Sequence, residues 1–151
     1  RVASSGLSIR QGNLVGDRGT IVYDQEGSDY VIRTRVQGNG RFGIMFRRTP
    51  NLNEGYVFQC DGGNCRWYTV TDGNNFNAIS SEVPRRAAFG TEEFHDLTLE
   101  IRGRDFTALV DGAHFSSVTD ETYTSGVVGL YSNRGYGNEV AFDYFELAPL
   151  P

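Results

Sequence analysis

The chain has no long apolar run and no cluster of basic residues. No apolar run in its 151 residues approaches the length of roughly 20 residues that a membrane-spanning helix needs. All fourteen basic residues are arginine, they are scattered among nineteen acids, and the formal net charge is −5. Because nucleic-acid-binding domains carry a basic patch or stripe, we expect neither a nucleic-acid partner nor a membrane span.

Motifs for catalysis are missing as well. A β-sandwich glycosidase would carry acids at alternate positions of one strand, as in E-x-D-x-E or E-x-D-x-x-E, and neither arrangement occurs. There is no G-x-S-x-G motif and no glycine-rich loop that opens a helix. We interpret His95 as structural and His114 as exposed. The sequence therefore predicts no catalytic residue.

Apolar residues recur with a period of two, and no segment shows the 3.6-residue period of an amphipathic helix. Leu97, Leu99 and Ile101, for example, alternate with polar residues. Nineteen glycines and 13% aromatic residues accompany this pattern. We predict an all-β fold, a two-sheet antiparallel β-sandwich that occupies residues 1–151 as a single domain.

The alternation also places individual strands. One face of the third predicted strand carries Tyr30, Ile32, Thr34 and Val36, and the fourth turns Phe42, Ile44 and Phe46 inward. Asp111 and Gly112 predict a tight turn. Segment 71–88 is read as a loop with at most one short strand. The predicted strands are 7–14, 20–23, 29–37, 42–47, Gly55–Cys60 and 66–70, followed by four within 94–147.

Cys60 and Cys65 enclose four residues near the tip of a predicted hairpin. A disulfide is geometrically easy there, whereas a zinc site would need two more ligands that the distant histidines do not supply. We favour a disulfide, with free thiols as the alternative. Because disulfides persist in oxidising compartments, this pairing predicts a secreted protein.

Several segments in fixed order carry a family resemblance. They are DYVIRTRVQGNGRFGIMFRRT, EGYVFQC, FHDLTLEIRGRDFTALVDG, SGVVGLYSNRG and VAFDYFEL. In these segments the chain resembles the concanavalin A-like, laminin-G-like jelly rolls. Within them it is most similar to the fructan-binding modules of bacterial levanases and to the related 3-keto-disaccharide hydrolase domains. The resemblance implies a jelly-roll sandwich and a polysaccharide or oligosaccharide ligand.

Sugars offer hydroxyl groups to planar polar side chains and C–H faces to aromatic rings. Three stretches combine such side chains: 47–56, the cysteine loop, and 131–139. The candidate ligand-binding residues are Arg47, Arg48, Glu54 and Tyr56 in the first stretch, Asp61 and Trp67 in the second, and Asn133, Arg134 and Tyr136 in the third.

Each stretch also has a structural interpretation. The strand pattern places Arg47 opposite Phe46, and the resemblance makes it the counterpart of the arginine that ends the family's G-L-V-F-R strand. Arg47 could equally neutralise a nearby acid. Trp67 is either a core residue or a stacking platform, and either Trp67 or Tyr68 must face outward. The third stretch could be a polar hairpin turn.

The resemblance implies a non-catalytic carbohydrate-binding module that docks a secreted glycoside hydrolase onto a polysaccharide or its terminal sugar. The catalytic domain of that hydrolase would belong to the same polypeptide. No cofactor is required, although jelly-roll modules often hold a structural calcium ion, for which Asp17, Asp24 and Asp143 are candidates. One alternative is a glycan-cleaving jelly roll of the 3-keto-glycoside hydrolase type that depends on Glu54 or Asp61. The other is a laminin-G-like adhesion module with a protein partner.

Overall fold

The computed structural model describes residues 2–5, 8–10, 13–16, 18–133 and 140–150, which form β-strands and no helix. No helix that could cross a membrane is therefore found in this part of the chain. The strands are β1 (Val2–Ser5), β2 (Ser8–Arg10), β3 (Asn13–Gly16), β4 (Arg18–Gly27), β5 (Tyr30–Gly38), β6 (Arg41–Arg48), β7 (Gly55–Cys60), β8 (Asn64–Thr71), β9 (Asn75–Ala78), β10 (Val83–Pro84), β11 (His95–Arg102), β12 (Asp105–Val110), β13 (Ala113–Thr119), β14 (Gly126–Asn133) and β15 (Val140–Pro149).

The strands pair into two antiparallel sheets. The eight-stranded sheet has the order β1-β4-β14-β6-β7-β8-β10, with β9 also paired to β8. The seven-stranded sheet has the order β13-β12-β11-β5-β15-β3-β2. Some neighbours are distant in sequence, such as β14, which lies beside β6. The predicted two-sheet antiparallel sandwich is confirmed.

The inner faces of the two sheets form the core. The predicted inward residues of β5 are all buried, and Phe42, Ile44 and Phe46 of β6 are each 0% exposed. Phe46 stacks on Tyr56 at 5.1 Å between ring centroids and meets Phe106 of the opposite sheet edge-on at 4.9 Å. Apolar burial across the sandwich supplies the main driving force for folding.

Three parts of the chain contain more strands than predicted. The N-terminal part forms β1, β2 and β3, where one strand over 7–14 was predicted. Asp111 and Gly112 form the expected turn, both with positive φ (52° and 82°), but the turn leads into a separate edge strand, β13. Most residues of β13 are at least partly exposed, so its sequence carries little alternation. Segment 71–88 contains two short strands rather than at most one, and all four residues of β9 are exposed.

The Cys60–Cys65 disulfide is present, with the two residues paired across the β7–β8 hairpin. A buried arginine braces the loop that the disulfide closes. The Arg85 guanidinium donates to the carbonyl of Asp61 at 2.9 Å and to those of Phe89 and Gly90, and it lies 4.1 Å from the Phe89 ring. Burial lowers the pKa of Arg85 to about 10, so the side chain stays charged at neutral pH.

The Cys60→Ala/Cys65→Ala variant should lose about 2 kcal/mol of free energy of unfolding, because the disulfide closes a short loop in the unfolded chain. Urea denaturation, followed by tryptophan fluorescence, measures the loss. Wild-type protein held in reductant should show the same decrease in its urea midpoint. Unchanged midpoints in both samples would show that the disulfide does not stabilise the fold.

Candidate functional site

The outer face of the eight-stranded sheet carries a second apolar cluster, separate from the core. Met45, Val57 and Val70 are buried there, and Leu52, Tyr68 and Tyr131 pack against them. Except for Leu52, which lies in the loop between β6 and β7, these residues occupy positions between the inward residues of β6, β7, β8 and β14, and successive side chains of a strand point to opposite faces. The sheet therefore buries apolar side chains on its solvent side as well.

A cavity of about 460 Å³ opens beside this cluster, and we call it the outer-face cavity. Three parts of the chain line it: the sheet itself, the loop between β6 and β7, and the β8–β9 hairpin. The lining residues are Thr20, Met45, Arg48, Tyr131 and Ser132 from the sheet, Asn51, Leu52 and Asn53 from the loop, and Gly73, Asn74 and Phe76 from the hairpin.

Hydrogen bonds hold the two loops of the cavity in place. The Asn51 side-chain oxygen accepts from the Thr49 hydroxyl at 2.6 Å and from the Asn53 backbone N–H at 3.1 Å. Gly73 donates its N–H to the Asn53 carbonyl at 2.9 Å, which joins the hairpin to the loop. Loops held on a rigid sheet in this way are typical of binding sites.

Tyr131 lies over Gly43 of the neighbouring strand. A Cβ atom at residue 43 would lie 2.6 Å from the Tyr131 phenol oxygen and closer still to two ring carbons, so the ring needs glycine there. The phenol donates to the side-chain oxygen of Gln59. Burial raises the pKa of Tyr131, and the phenol is therefore neutral at physiological pH.

Arg48 is the charged residue among those that line the outer-face cavity. Its side chain is 3% exposed, and one guanidinium nitrogen donates to the Leu52 carbonyl. The buried Nε has no hydrogen-bond partner among the described residues. Burial lowers the pKa of this guanidinium below its ordinary value, although Tyr131 and Tyr123 oppose the shift. The described lining contains no Asp, Glu or His.

Arg47, by contrast, faces away from this cavity. Its φ of 47° interrupts the strand alternation, so the prediction that it lies opposite Phe46 is wrong. The guanidinium donates to the carbonyls of Ser28 at 2.8 Å and Tyr123 at 3.1 Å, pairs with Asp29 at 3.2 Å, and lies 5.2 Å from the Phe106 ring. The alternative interpretation, pairing with an acid, matches this arrangement.

Arg47 lines a second cavity of about 460 Å³, which we call the end cavity, together with Asp29, Gly103, Arg104, Asp120, Glu121, Tyr123 and Thr124. Its charged groups are already bonded to each other or to the backbone. Asp29 accepts from Arg47 and from the Gly103 N–H, and Arg104 pairs with Glu121 at 2.8 Å. The end cavity therefore leaves few polar groups free for a ligand.

Tyr56 belongs to the core, while Glu54 is exposed at the end of the β6–β7 loop. The Tyr56 hydroxyl donates to Asp120 at 2.5 Å and accepts from the Tyr123 N–H at 3.0 Å. Burial, with the bond to Asp120, raises the pKa of Tyr56 to about 12. Burial alone would raise the pKa of Asp120, but hydrogen bonds from Tyr56 and Thr122 outweigh it and lower that pKa below 3.8.

The Asp120→Asn variant should have a flatter dependence of stability on pH than the wild type. A carboxyl whose pKa is lower in the folded state stabilises the fold above its unfolded pKa of 3.8, and the contribution disappears as the pH falls through the folded value. Urea midpoints at pH 7 and across the acid range measure the effect. Parallel curves for the two proteins would contradict it.

The disulfide-loop candidates do not reach the outer-face cavity. Trp67 is 0% exposed, and its indole N–H donates to the Ser116 hydroxyl at 2.9 Å. The Asp61 carboxylate accepts from the N–H groups of Gly63 and Asn64, both at 2.8 Å, and so closes the turn. Tyr68 is the outward member of the predicted pair, with its ring 5.6 Å from that of Phe76.

The third predicted stretch is only partly described. Tyr131 lines the cavity, whereas Arg134 and Tyr136 and the side chain of Asn133 lie outside the described residues. The predicted stretch 47–56 contains Asn51 and Asn53, although neither was named as a candidate, and sequence reasoning missed Asn74 and Phe76 of the hairpin. The one available signal was Phe76, an aromatic residue between Asn75 and Asn77 in a polar segment.

The calcium prediction is untested. Asp17 and the side chain of Asp24 lie outside the described residues, and Asp143 approaches the Arg35 guanidinium at 3.7 Å. Within the described part, no group of three or more His, Cys, Asp or Glu residues is placed to hold a metal ion. His95 pairs with Asp111 at 2.7 Å, and His114 is exposed as predicted.

Comparison with known proteins gives a family and a fold. The profile of the 3-keto-alpha-glucoside-1,2-lyase-like domain matches residues 2–148. The carbohydrate-binding module CBM66 from Bacillus subtilis is similar in structure, with a TM-score of 0.77 and 17% identity over 97% of this chain and 94% of that one. A putative glycosyl hydrolase from Parabacteroides distasonis ATCC 8503 gives a TM-score of 0.72 and 11% identity over 97% and 93%.

The exoplasmic/lumenal domain of VIP36, in a Ca²⁺/Man3GlcNAc-bound form, gives a TM-score of 0.75 and 10% identity over 99% of this chain and 84% of that one. No curated protein matches the chain in sequence. At these identities the structural likenesses establish the jelly-roll sandwich and nothing finer.

Proposed function

Because the chain belongs to the 3-keto-alpha-glucoside-1,2-lyase-like domain family, whose fold it shares with carbohydrate-binding modules, we propose that it binds a sugar without cleaving it, in the outer-face cavity. One observation carries this proposal. The cavity combines an exposed aromatic ring, three asparagines and one guanidinium, while its described lining has no carboxylate or imidazole.

These groups suit the two surfaces of a sugar. Phe76 is 37% exposed, so its ring can stack on the C–H face of a pyranose or furanose. The side-chain amides of Asn53 and Asn74 can both donate to and accept from hydroxyl groups, whereas Asn51, whose side-chain oxygen already accepts two hydrogen bonds, offers its NH₂ group as a donor. Tyr131 adds apolar surface beneath them. The cavity therefore supplies stacking and hydrogen bonding, which are the two requirements of sugar recognition.

Glycoside cleavage, the alternative function, has support from the family but not from this cavity. General acid–base chemistry requires a carboxyl or imidazole within hydrogen-bond reach of the scissile bond. Asp61, one of the two predicted candidates, already holds the N–H groups of its own turn. Glu54, the other, is exposed and outside the lining of the outer-face cavity.

An adhesion module would need a continuous apolar patch for its protein partner. Among the described residues, the large exposed apolar side chains are Phe76 and Tyr144, which lie on different sheets. This separation argues against the adhesion alternative. We propose further that the domain is secreted, as the disulfide suggests, and that it docks a glycoside hydrolase of the same polypeptide onto its substrate.

Phe76→Ala should weaken binding about tenfold, because stacking of a sugar on an aromatic ring contributes about 1.4 kcal/mol. A glycan array identifies the ligand, and calorimetry measures its affinity for the wild type, for Phe76→Ala and for a control variant. Tyr144→Ala is the matched control, since Tyr144 is 42% exposed but lies on the seven-stranded sheet. The proposal fails if no glycan binds, or if the two variants lose equal affinity.

A further inference from the structure

We propose that the sugar is acidic and that its carboxylate, as in a hexuronate residue, pairs with Arg48 in the outer-face cavity. This inference rests on the proposed function, since it names the class of sugar that the same cavity takes. It follows from the burial of the Arg48 guanidinium and from its incomplete hydrogen bonding among the described residues.

Arg48 is a buried cation without a described anion. Its side chain is 3% exposed, its Nε has no hydrogen-bond partner among the described residues, and one carbonyl, that of Leu52, accepts from it. None of the described carboxylates lies within ion-pair distance of it. A buried, charged donor left without a partner is costly, so this arrangement favours a ligand that brings negative charge.

The two other buried arginines show what a satisfied guanidinium looks like in this fold. Arg47 has two carbonyls, the Asp29 carboxylate and the Phe106 ring around it. Arg85 has three carbonyls and the Phe89 ring. Arg48 is as deeply buried as Arg47 but has one carbonyl. The described lining of its cavity holds no carboxylate, whereas the end cavity that Arg47 lines holds those of Asp29, Asp120 and Glu121.

A carboxylate complements this site better than a hydroxyl group. The planar guanidinium presents pairs of N–H groups that match the two oxygens of a carboxylate, and such charge-assisted bonds are about twice as strong as neutral ones. The other polar groups of the lining are neutral amides and hydroxyls, and Tyr131 is a neutral phenol. They can bind the hydroxyl groups of the same sugar without repelling its charge.

The first experiment changes only the ligand. Wild-type protein is titrated by calorimetry with trigalacturonate, with its methyl ester and with the corresponding galactose trisaccharide, and likewise with a glucuronate and glucose pair. We expect at least one uronate to bind roughly tenfold or more tighter than its methyl ester and its neutral counterpart. The preference should shrink in 0.5 M salt, because screening weakens the ion pair.

The outcomes separate this inference from the proposed function. Neutral sugars that bind as well as the uronates would overturn the acidic-sugar inference and leave carbohydrate binding intact. A preference for sulfated galactose over both uronates would overturn the claim that the acidic group of the sugar is a carboxylate. If neither acidic nor neutral glycans bind, the proposed function fails together with the inference.

The second experiment changes the protein. Arg48→Gln should remove the preference for the acid over its methyl ester, whereas Arg48→Lys should keep part of it, because lysine retains the charge but not the planar fork. Arg102→Gln, at an exposed position of β11, is the control. Melting temperatures report folding, and an unchanged acid-to-ester ratio in folded Arg48→Gln would overturn the assignment of Arg48.

Discussion

The Trp67→Ala variant should lose about 3–5 kcal/mol of free energy of unfolding, the largest stability effect that we expect from one substitution. Trp67 is 0% exposed, and the centroid of its ring lies 4.6 Å from that of Phe58 and 6.0 Å from that of Phe46. Truncation leaves a cavity between the sheets, and the Ser116 hydroxyl loses its indole partner. Urea denaturation followed by circular dichroism measures the change.

Tyr68→Ala is the matched control, because Tyr68 is the next residue of the same strand and faces outward. We expect a cost of about 1 kcal/mol for it, since its ring is only partly buried. Equal losses in the two variants would contradict the placement of Trp67 in the core and Tyr68 on the outer face.

The Gly43→Val variant should lose roughly thirtyfold or more in sugar affinity, the largest effect on binding that we expect. Any side chain at residue 43 overlaps the Tyr131 ring, which must then leave its position against the outer cluster. Because the overlapped atoms belong to the far end of a side chain and not to the backbone, the ring can move, with loss of its hydrogen bond to Gln59, without unfolding the sheet. Calorimetry with the glycan that binds best measures the affinity.

Gly90→Val serves as the control for this change, because a Cβ atom at residue 90 meets nothing within 4 Å. This variant should bind sugar as the wild type does. A folded Gly43→Val protein with wild-type affinity would show that the position of Tyr131 does not matter for binding.

The sequence predicts the inner face of the sandwich better than its edges. The inward residues of β5 and β6 recur at every second position because one face of each strand is buried in the core, even where an outward residue such as Met45 is buried as well. Strands β9 and β13 lie beside a single partner and are largely exposed, so burial imposes no such pattern on them. The sequence did predict the tight turn at Asp111 and Gly112, because these residue types tolerate a positive φ.

The candidate site was harder to predict, for a physical reason. Alternation assigns a residue to a face but does not say which strands are neighbours, and the outer-face cavity depends on β14 lying beside β6. The left-handed backbone at Arg47 also turns that side chain away from the outer-face cavity and leaves Arg48 to line it. Arginine is not a residue type that favours this conformation, so the sequence does not predict it. Arg48 was predicted as a ligand residue, and its place in the cavity keeps that prediction open.

The most direct test of carbohydrate binding in the outer-face cavity is an NMR titration of the labelled protein with the glycan that binds best. The side-chain NH₂ signals of Asn51, Asn53 and Asn74 report from inside the cavity. We predict that these three signals shift first and furthest. Shifts confined to the end cavity near Asp120, or to the outer face of the seven-stranded sheet near Tyr144, with the three asparagine signals unmoved, would contradict the account.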